Sequence, residues 1–359
     1  MHIADIFSKE KGLREKARLI RAEPDTVFPV LSAKLKLTWR CNLRCELCSI
    51  WQKPAERGLS HDDLQPELVE QIISALHERG LRKVHFSGGE VLLLKSFPRL
   101  VAFARGLDLQ VNLTTNGTLL DKDLARFLVE QRVHAVTVSI DSGEEAQHDK
   151  MRGMKGAWKL AWRGIENLRE RAGKKGRGPT LAVNTIVTRQ NVPSLDALFG
   201  LLKERGIARW RLLPVDTPLK KPRPTEAQWR ELRRRFETDW QPLLSRLPID
   251  WTSDRSAALA GKGKYAGEFY QDTVCFSPWF NLFIDADGMT YPCCMGKGSL
   301  PAYGNVLETP LPELLAGRRR REICYSMASG HLFPICKCCD DFLEENLAFG
   351  ELMPKEERS

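Results

Sequence analysis

No stretch of this 359-residue chain approaches the ~18 consecutive apolar residues of a membrane span, and the opening Met1-His2-Ile3-Ala4-Asp5 lacks the pattern of an export signal. Those absences argue against a membrane helix and against a secreted, disulfide-stapled module, and point to a cytoplasmic protein. Aromatic residues make up only 8% of the chain, and few of them interleave with its basic clusters. The net charge of +9 therefore reads as solvated faces, at Arg233-Arg234-Arg235 for instance, with attraction of an anionic substrate as the residual idea. No nucleic-acid-binding module is recognisable, so neither nucleic acid nor membrane is an expected partner. Cysteine is missing between Cys48 and Cys275: three of the ten lie in one early loop and seven in the last 85 residues. Clusters of this kind in a cytoplasmic chain point to metal.

The early loop follows Lys34-Leu35-Lys36-Leu37-Thr38, an alternating run that reads as a buried strand. Cys41, Cys45 and Cys48 come next, at steps of four and three. Three thiolates leave one corner of a cubic iron–sulfur cluster without a protein ligand, which suits chemistry more than electron storage. Structural zinc usually takes four ligands from paired Cys-x-x-Cys knuckles, and an odd trio cannot pair off as disulfides. Iron–sulfur is the favoured reading.

Helix and strand then alternate. Strands are predicted over 83–87, 109–114, 135–140, 181–187 and 209–213, and helices over 64–79, 97–105, 122–131, 158–171 and 194–205. Six strand–helix turns predict an α/β fold, a parallel sheet with helices outside that curls into a partial (β/α)6 TIM-like barrel across 34–215. Sites belong at the carboxyl ends of its strands. Residues 1–33 read as a helical leader, 216–270 as a proline-marked linker with a charged helix, and 271–359 as a small cysteine-rich β-hairpin/helix domain.

Two strand ends carry ligand-binding chemistry. Gly88-Gly89-Glu90 lets a ligand approach the backbone and sets a carboxylate beside it, although Gly-Gly-Glu is also a common turn. Asn116-Gly117 is first a turn signal. Further on, residues 281–291 read as a hairpin with an Asp-Gly turn that brings Cys275 and Cys293 together. Cys336-x-x-Cys339 supplies a second pair, and the four would close a site for zinc or for iron–sulfur. Cys294, Cys324 and Cys338 remain, as buried small hydrophobes or alternate ligands.

Cys41-x-x-x-Cys45-x-x-Cys48 behind a first strand resembles the cluster-binding motif of the radical S-adenosylmethionine (SAM) superfamily, over roughly residues 34–215. The resemblance implies a [4Fe–4S] cluster whose open iron is chelated by SAM, cleavage of SAM to methionine and a 5′-deoxyadenosyl radical, and a flavodoxin- or ferredoxin-type electron donor. It places Gly88, Gly89 and Glu90 at the SAM amino group, Asn116 near SAM, Ser139 and Asp141 facing it, and Arg152 on its carboxylate. Asn184 and Thr185 are candidates for the ribose. Leu47 and Val91 depart from the family pattern, which favours an aromatic residue and a proline there.

The cysteine-rich end resembles the SPASM/twitch appendages that hold auxiliary [4Fe–4S] clusters. With no cysteine after Cys339, a single-cluster version is implied, with Cys275, Cys293, Cys336 and Cys339 as ligands. Peptide-modifying relatives carry an extra recognition domain, for which the forty residues before Cys41 are too few. A small-molecule substrate is therefore expected, a sugar or aminocyclitol undergoing epimerisation or dehydrogenation, with Cys324 as a candidate hydrogen donor. A ribosomal-peptide maturase is the alternative, and a non-catalytic electron carrier a third reading. Trp51 and Asp216 are expected to face the barrel mouth.

Overall fold

The computed structural model describes residues 28–51 apart from 49, 63–173, 178–215, 222–241, 254–266 and 274–339, with a few residues elsewhere. Its first six strands are β1 (Ser32–Lys36), β2 (Lys83–Ser87), β3 (Gln110–Thr115), β4 (Ala135–Ser139), β5 (Thr180–Val187) and β6 (Arg209–Pro214). Successive side chains of a strand point to opposite faces. One face carries Leu35, Phe86, Leu113, Val138, Val183 and Trp210, all buried. The other carries Lys36, His85, Asn112, Ser139, Asn184 and Arg211, which keep some access to solvent. Parallel sheets ordinarily bury both faces in hydrocarbon. A polar second face is what the inside of an open barrel requires when a ligand is to occupy it.

Helices cover the apolar face: α1 (Pro66–His77), α2 (Phe97–Gly106), α3 (Lys122–Glu130), α4 (Glu145–Arg152), α5 (Ala157–Ala172), α6 (Leu195–Glu204) and α7 (Glu226–Arg235). On α1 the buried residues are Val69, Ile72, Ile73 and Leu76, the three-and-four spacing of a helix with one dry side. The charged helix expected across the linker begins at α7, capped by Thr225 and Gln228, and runs into a π-helical turn at Phe236–Trp240.

All six strands pair in parallel, in the order β6-β5-β4-β3-β2-β1. The predicted hairpin forms as β7 (Asn281–Ile284) and β8 (Met289–Tyr291), turning at Gly288 with φ +81°. β7 also pairs in parallel with β1, Leu35 opposite Ile284, and β9 (Gly304–Asn305) completes a nine-stranded sheet. The cysteine-rich segment thus continues the barrel sheet. Leu31 N donates to Phe280 O (2.9 Å) and the rings of Phe28 and Phe280 meet edge-on at 4.9 Å, fastening the start of β1 to the start of β7. No helix among the described residues is long and apolar enough to cross a membrane. Asp216 and most of the expected leader helix lie outside the described residues.

Candidate active site

Past β1 the chain turns through Thr38–Arg40 into the cysteine loop, which two glycines clamp. Gly89 N donates to Thr38 O (2.7 Å) and Glu90 N to Arg40 O (2.8 Å). A Cβ on Gly89 would stand 2.1 Å from the Arg40 carbonyl oxygen. Across the loop, Gly153 caps α4 at φ +65°, where a Cβ would stand 2.3 Å from the Arg44 carbonyl oxygen. Held between them, Cys41, Cys45 and Cys48 line one cavity of about 180 Å³. Burial pushes the Cys41 thiol up to about 11 and raises Cys45 against the pull of Arg152.

Among the described residues no three His, Cys, Asp or Glu side chains converge to hold a metal ion. A tetrahedral zinc would draw its sulfurs to about 2.3 Å from one centre, whereas a cubic cluster takes each cysteine on a different iron. Three thiols around a shared cavity match the donor set of a cluster with one iron left open.

Gly88, Gly89, Asn116, Ser139, Asp141 and Arg152 form other walls of this cavity. Arg152 Nε lies 2.8 Å from Asp141 Oδ2, and the guanidinium also bonds the Cys45 sulfur. Burial opposes its charge, but Asp141 and Cys45 more than offset that and raise its pKa. Asp141 Oδ1 accepts from Ile186 N (2.9 Å), and Asn191 Nδ2 donates to Asp141 O (2.7 Å). Asp141 N donates to His148 Nδ1 (3.1 Å), whose ring burial, helped by Arg152, pushes down to about 3 and so keeps a neutral acceptor. Sequence reasoning missed His148 and Asn191 as positioning residues, because nothing in a local motif marks contacts made behind a wall.

Glu90 needs correction. Its carboxylate is fully buried and does not line the cavity. Oε1 accepts from Thr115 Oγ1 (2.7 Å) and Leu92 N (3.1 Å), and Oε2 accepts from Asn116 N (2.7 Å). It braces the β3 loop against the β2 loop in place of the expected grip on an ammonium group. Burial raises its pKa against those three donors. Asn116 in turn donates through Nδ2 to Asn42 Oδ1 (2.9 Å), and Asn42 donates to Thr118 Oγ1 (2.8 Å). Asn42, lying between two predicted ligands, could have been noticed from its position alone.

Asn184 lies opposite Ser139 in the β4–β5 register but is not part of the cavity wall. Its buried Oδ1 has no hydrogen-bond partner among the described residues. Thr185 points to the apolar face, where Oγ1 donates to Ile140 O (2.5 Å) and accepts from Trp210 Nε1 (2.9 Å), so it is no ribose ligand. Trp51 stacks with the Arg44 guanidinium 5.4 Å from its ring and stays off the cavity wall.

Cys275, Cys293, Cys336 and Cys339 line a second, apolar cavity of about 20 Å³. The hairpin carries Cys293 back to Cys275, and the turn Pro334–Cys338 brings in Cys336 and Cys339. Burial pushes Cys336 up to about 12 and Cys293 well above its ordinary value. Four thiols around one apolar space suit an iron–sulfur cluster. Cys294 stays outside, accepting from Lys34 Nζ at 3.7 Å. Cys324 is a further correction: it is 1% exposed on the helix Arg318–Ala328 and lines neither cavity. A hydrogen donor must touch its substrate, and burial here pushes the thiol up to about 11.

Two residues back the second cysteine set. Tyr270 Oη donates to Cys339 Sγ (3.8 Å), and Asn346 Nδ2 donates to Tyr270 Oη (2.9 Å) and Cys275 Sγ (3.5 Å). Hydrogen bonds to ligand sulfur favour the reduced, more negative cluster. Tyr270→Phe is therefore expected to lower the reduction potential of the auxiliary cluster in an EPR-monitored titration, leaving the other cluster's potential in place. An unchanged auxiliary potential would show that the hydroxyl does not serve a ligand sulfur.

Comparison with known proteins assigns the class. Residues 35–199 match the radical SAM superfamily, and residues 275–340 match the iron–sulfur cluster-binding domain called SPASM. The chain thus carries a radical SAM domain and, at its C-terminal end, a SPASM domain. Those two domains imply a SAM-binding [4Fe–4S] cluster, auxiliary iron–sulfur and SAM as cofactors. Fe-coproporphyrin III synthase of Methanosarcina barkeri (strain Fusaro / DSM 804) is 37% identical over 173 residues, 48% of this chain and 41% of the relative. PqqA peptide cyclase of Gluconobacter oxydans (strain 621H) is 30% identical over 181 residues, 50% of this chain and 48% of the relative. The chain spans less than half the length of either relative. Streptococcus suis SuiB bound to precursor peptide SuiA has a TM-score of 0.64 at 16% identity, over 93% of this chain and 76% of that one. Native anSMEcpe with bound AdoMet and Cp18Cys peptide has a TM-score of 0.60 at 19% identity, over 87% of both. These two likenesses establish the fold.

Proposed function

We propose that this radical SAM enzyme takes a hydrogen atom from a peptide laid along the open face of its sheet. The observation that carries this reading is the continuity of that face. Ser139, Thr114 and Ser87 wall the first cavity, and on the same side the neighbouring strands carry Lys36 and lead to Asp285, beside the hairpin of the second cysteine set. An extended segment laid across this row would pass from one cysteine site toward the other. The alignment with PqqA peptide cyclase through the barrel supports a peptide over the sugar or aminocyclitol expected from chain length. Neither epimerisation nor dehydrogenation gains support from the relatives, which are named as synthases and cyclases.

Cys41, Cys45 and Cys48 would hold the cluster, which would supply the electron for reductive cleavage of SAM to methionine and a hydrogen-abstracting 5′-deoxyadenosyl radical. Arg152 offers the SAM carboxylate a guanidinium whose orientation Asp141 fixes, and the Gly88–Gly89 backbone offers the ammonium a close wall. Cys275, Cys293, Cys336 and Cys339 would hold the auxiliary cluster in apolar surroundings that exclude water.

The test is hydrogen transfer. Anaerobically reconstituted protein is given SAM, a reductant and precursor peptides deuterated on carbon. Deuterium in 5′-deoxyadenosine supports the reading, and cleavage that no peptide labels sinks it. The 37% identity to Fe-coproporphyrin III synthase favours a second reading, a synthase of that kind, which the same assay scores with a labelled tetrapyrrole. An intact cluster that never cleaves SAM would leave an electron carrier.

A further inference from the structure

The open face of the sheet carries one row of side chains that the chemistry above leaves unused. Ser139, Asn184 and Arg211 stand opposite one another on β4, β5 and β6. Ser139 walls the SAM-side cavity, and so does Ile186, the next residue of β5 on that face. The row therefore runs from the cavity out to the edge strand of the sheet.

Two members of this row have polar ends that the fold does not use. Asn184 turns Oδ1 inward, where it is buried without a hydrogen-bond partner among the described residues. Its Nδ2 is left on the partly open side, with no partner there either. Stranding an acceptor out of water is unfavourable, so this orientation makes sense where the outward donor meets a ligand. Arg211 is exposed and has no hydrogen bond, ion pair or ring contact among the described residues. Arginines on the outer helices differ: Arg99, Arg171 and Arg234 each meet a glutamate.

The register says what these ends can do together. Adjacent strands lie about 4.8 Å apart, so Asn184 and Arg211 rise side by side from one face and can offer an amide donor and a guanidinium to one group. Thr137 and Ala182, the pair one row nearer the strand starts, have short side chains that leave room beside Asn184. Donors from both members, one of them a planar charged fork, match the two oxygens of a carboxylate.

We propose that Asn184 and Arg211 form a subsite for a carboxylate of the substrate, an Asp or Glu side chain of a peptide. The proposal rests on the reading that a peptide lies along the open face, and it gives Asn184 to the substrate in place of the ribose. The carboxylate would sit one to two strand spacings, about 5–10 Å, from the wall at Ser139. The residue that carries it, or a near neighbour, then brings a C–H bond to the SAM-side cavity. A carboxylated tetrapyrrole would offer the same chemistry, so it belongs in the test.

The experiment is calorimetric titration of the anaerobically reconstituted full chain with SAM present, using hexaglutamate as probe and hexaglutamine as control. Hexaglutamate is expected to bind at least about tenfold more tightly, the worth of one hydrogen bond to a charged group. Arg211→Gln should remove that preference, and Arg211→Lys, which keeps the charge without the fork, should keep part of it. Asn184→Asp, equal in size, sets a carboxylate where the donor stood and should abolish hexaglutamate binding while SAM still binds. Arg318→Gln, on an exposed helix, removes the same charge as Arg211→Gln and should change nothing. Equal losses in those two variants would overturn the subsite in favour of the general field of a +9 chain. Loss of SAM binding in Asn184→Asp would return that residue to the ribose. Inorganic phosphate competing as well as hexaglutamate would remove the carboxylate character. If Arg211→Gln weakens coproporphyrin III and leaves hexaglutamate unchanged, the assignment to a peptide is wrong. Hydrogen transfer by the same preparations is scored separately. A protein that labels 5′-deoxyadenosine from a peptide yet ignores Arg211 refutes the subsite alone, whereas one that binds hexaglutamate through Arg211 and takes label from no peptide refutes the peptide reading.

Discussion

Arg152→Met is expected to destabilise the folded chain by about 3–5 kcal/mol, the cost of leaving one member of a buried ion pair alone. Asp141, the abandoned partner, is 2% exposed. Its Oδ1 is already committed to Ile186 N, so no local donor replaces the guanidinium. Asp141→Leu combined with Arg152→Met should recover much of that stability, because removing both charges abolishes the penalty. The double variant should still fail to bind SAM, since the carboxylate would meet no cation. Urea unfolding gives the first quantity and calorimetric SAM binding the second. If the double variant is as unstable as Arg152→Met, the pair does not carry the wall. If it binds SAM normally, Arg152 does not contact the carboxylate. Exposed Arg99, paired with Glu67 and Glu70 on the outer helices, should show no comparable loss when changed to methionine.

Much of this site was legible because its signals are local. Strand alternation survives in the sequence since the inner face is polar, so Lys34, Lys36, His85 and Asn112 interrupt what would otherwise be featureless apolar runs. The cysteine steps put three thiols on one loop and four around a hairpin and a turn, and each set lines a single cavity. The misreadings have physical causes. Glu90 has the chemistry of an ammonium ligand, but three donors from β3 and its own loop engage both oxygens away from the cavity wall, and only the fold shows that. Cys324 could have been read correctly: Arg320, Ile323, Cys324 and Met327 fall at helical spacing, the mark of a buried stripe. The β1–β7 pairing was beyond reach, because it joins segments some 250 residues apart whose strand patterns say nothing about their neighbours. The Lys36–Asp285 contact follows from that pairing and was hidden with it.

Gly153→Ala is expected to strip the SAM-binding cluster from a chain that otherwise folds. Gly153 caps α4 in the left-handed region, φ +65° and ψ 28°, which alone costs a residue with a Cβ about 1–2 kcal/mol. The contact across the loop costs more, because the new Cβ would lie 2.3 Å from Arg44 O and 2.8 Å from Arg44 C, both backbone atoms that no rotamer change can move. Relief requires the Cys41–Cys48 loop to shift, and Glu46 N would leave Met151 O as it went. A displacement near 1 Å is enough to cost about 10²-fold in rate, so SAM cleavage should fall by about that factor. Gly173 supplies the control: it ends α5 at φ +64° and ψ 179°, another conformation that disfavours a Cβ, and a methyl added there would meet nothing within 4 Å among the described residues, so Gly173→Ala bears a backbone cost of its own without the clash. Iron content after anaerobic reconstitution and 5′-deoxyadenosine yield separate the two variants. Gly153→Ala should keep the auxiliary cluster and lose the other, while Gly173→Ala keeps both. Matching iron and matching yield would mean that the cysteine loop tolerates the intrusion and is not held by α4.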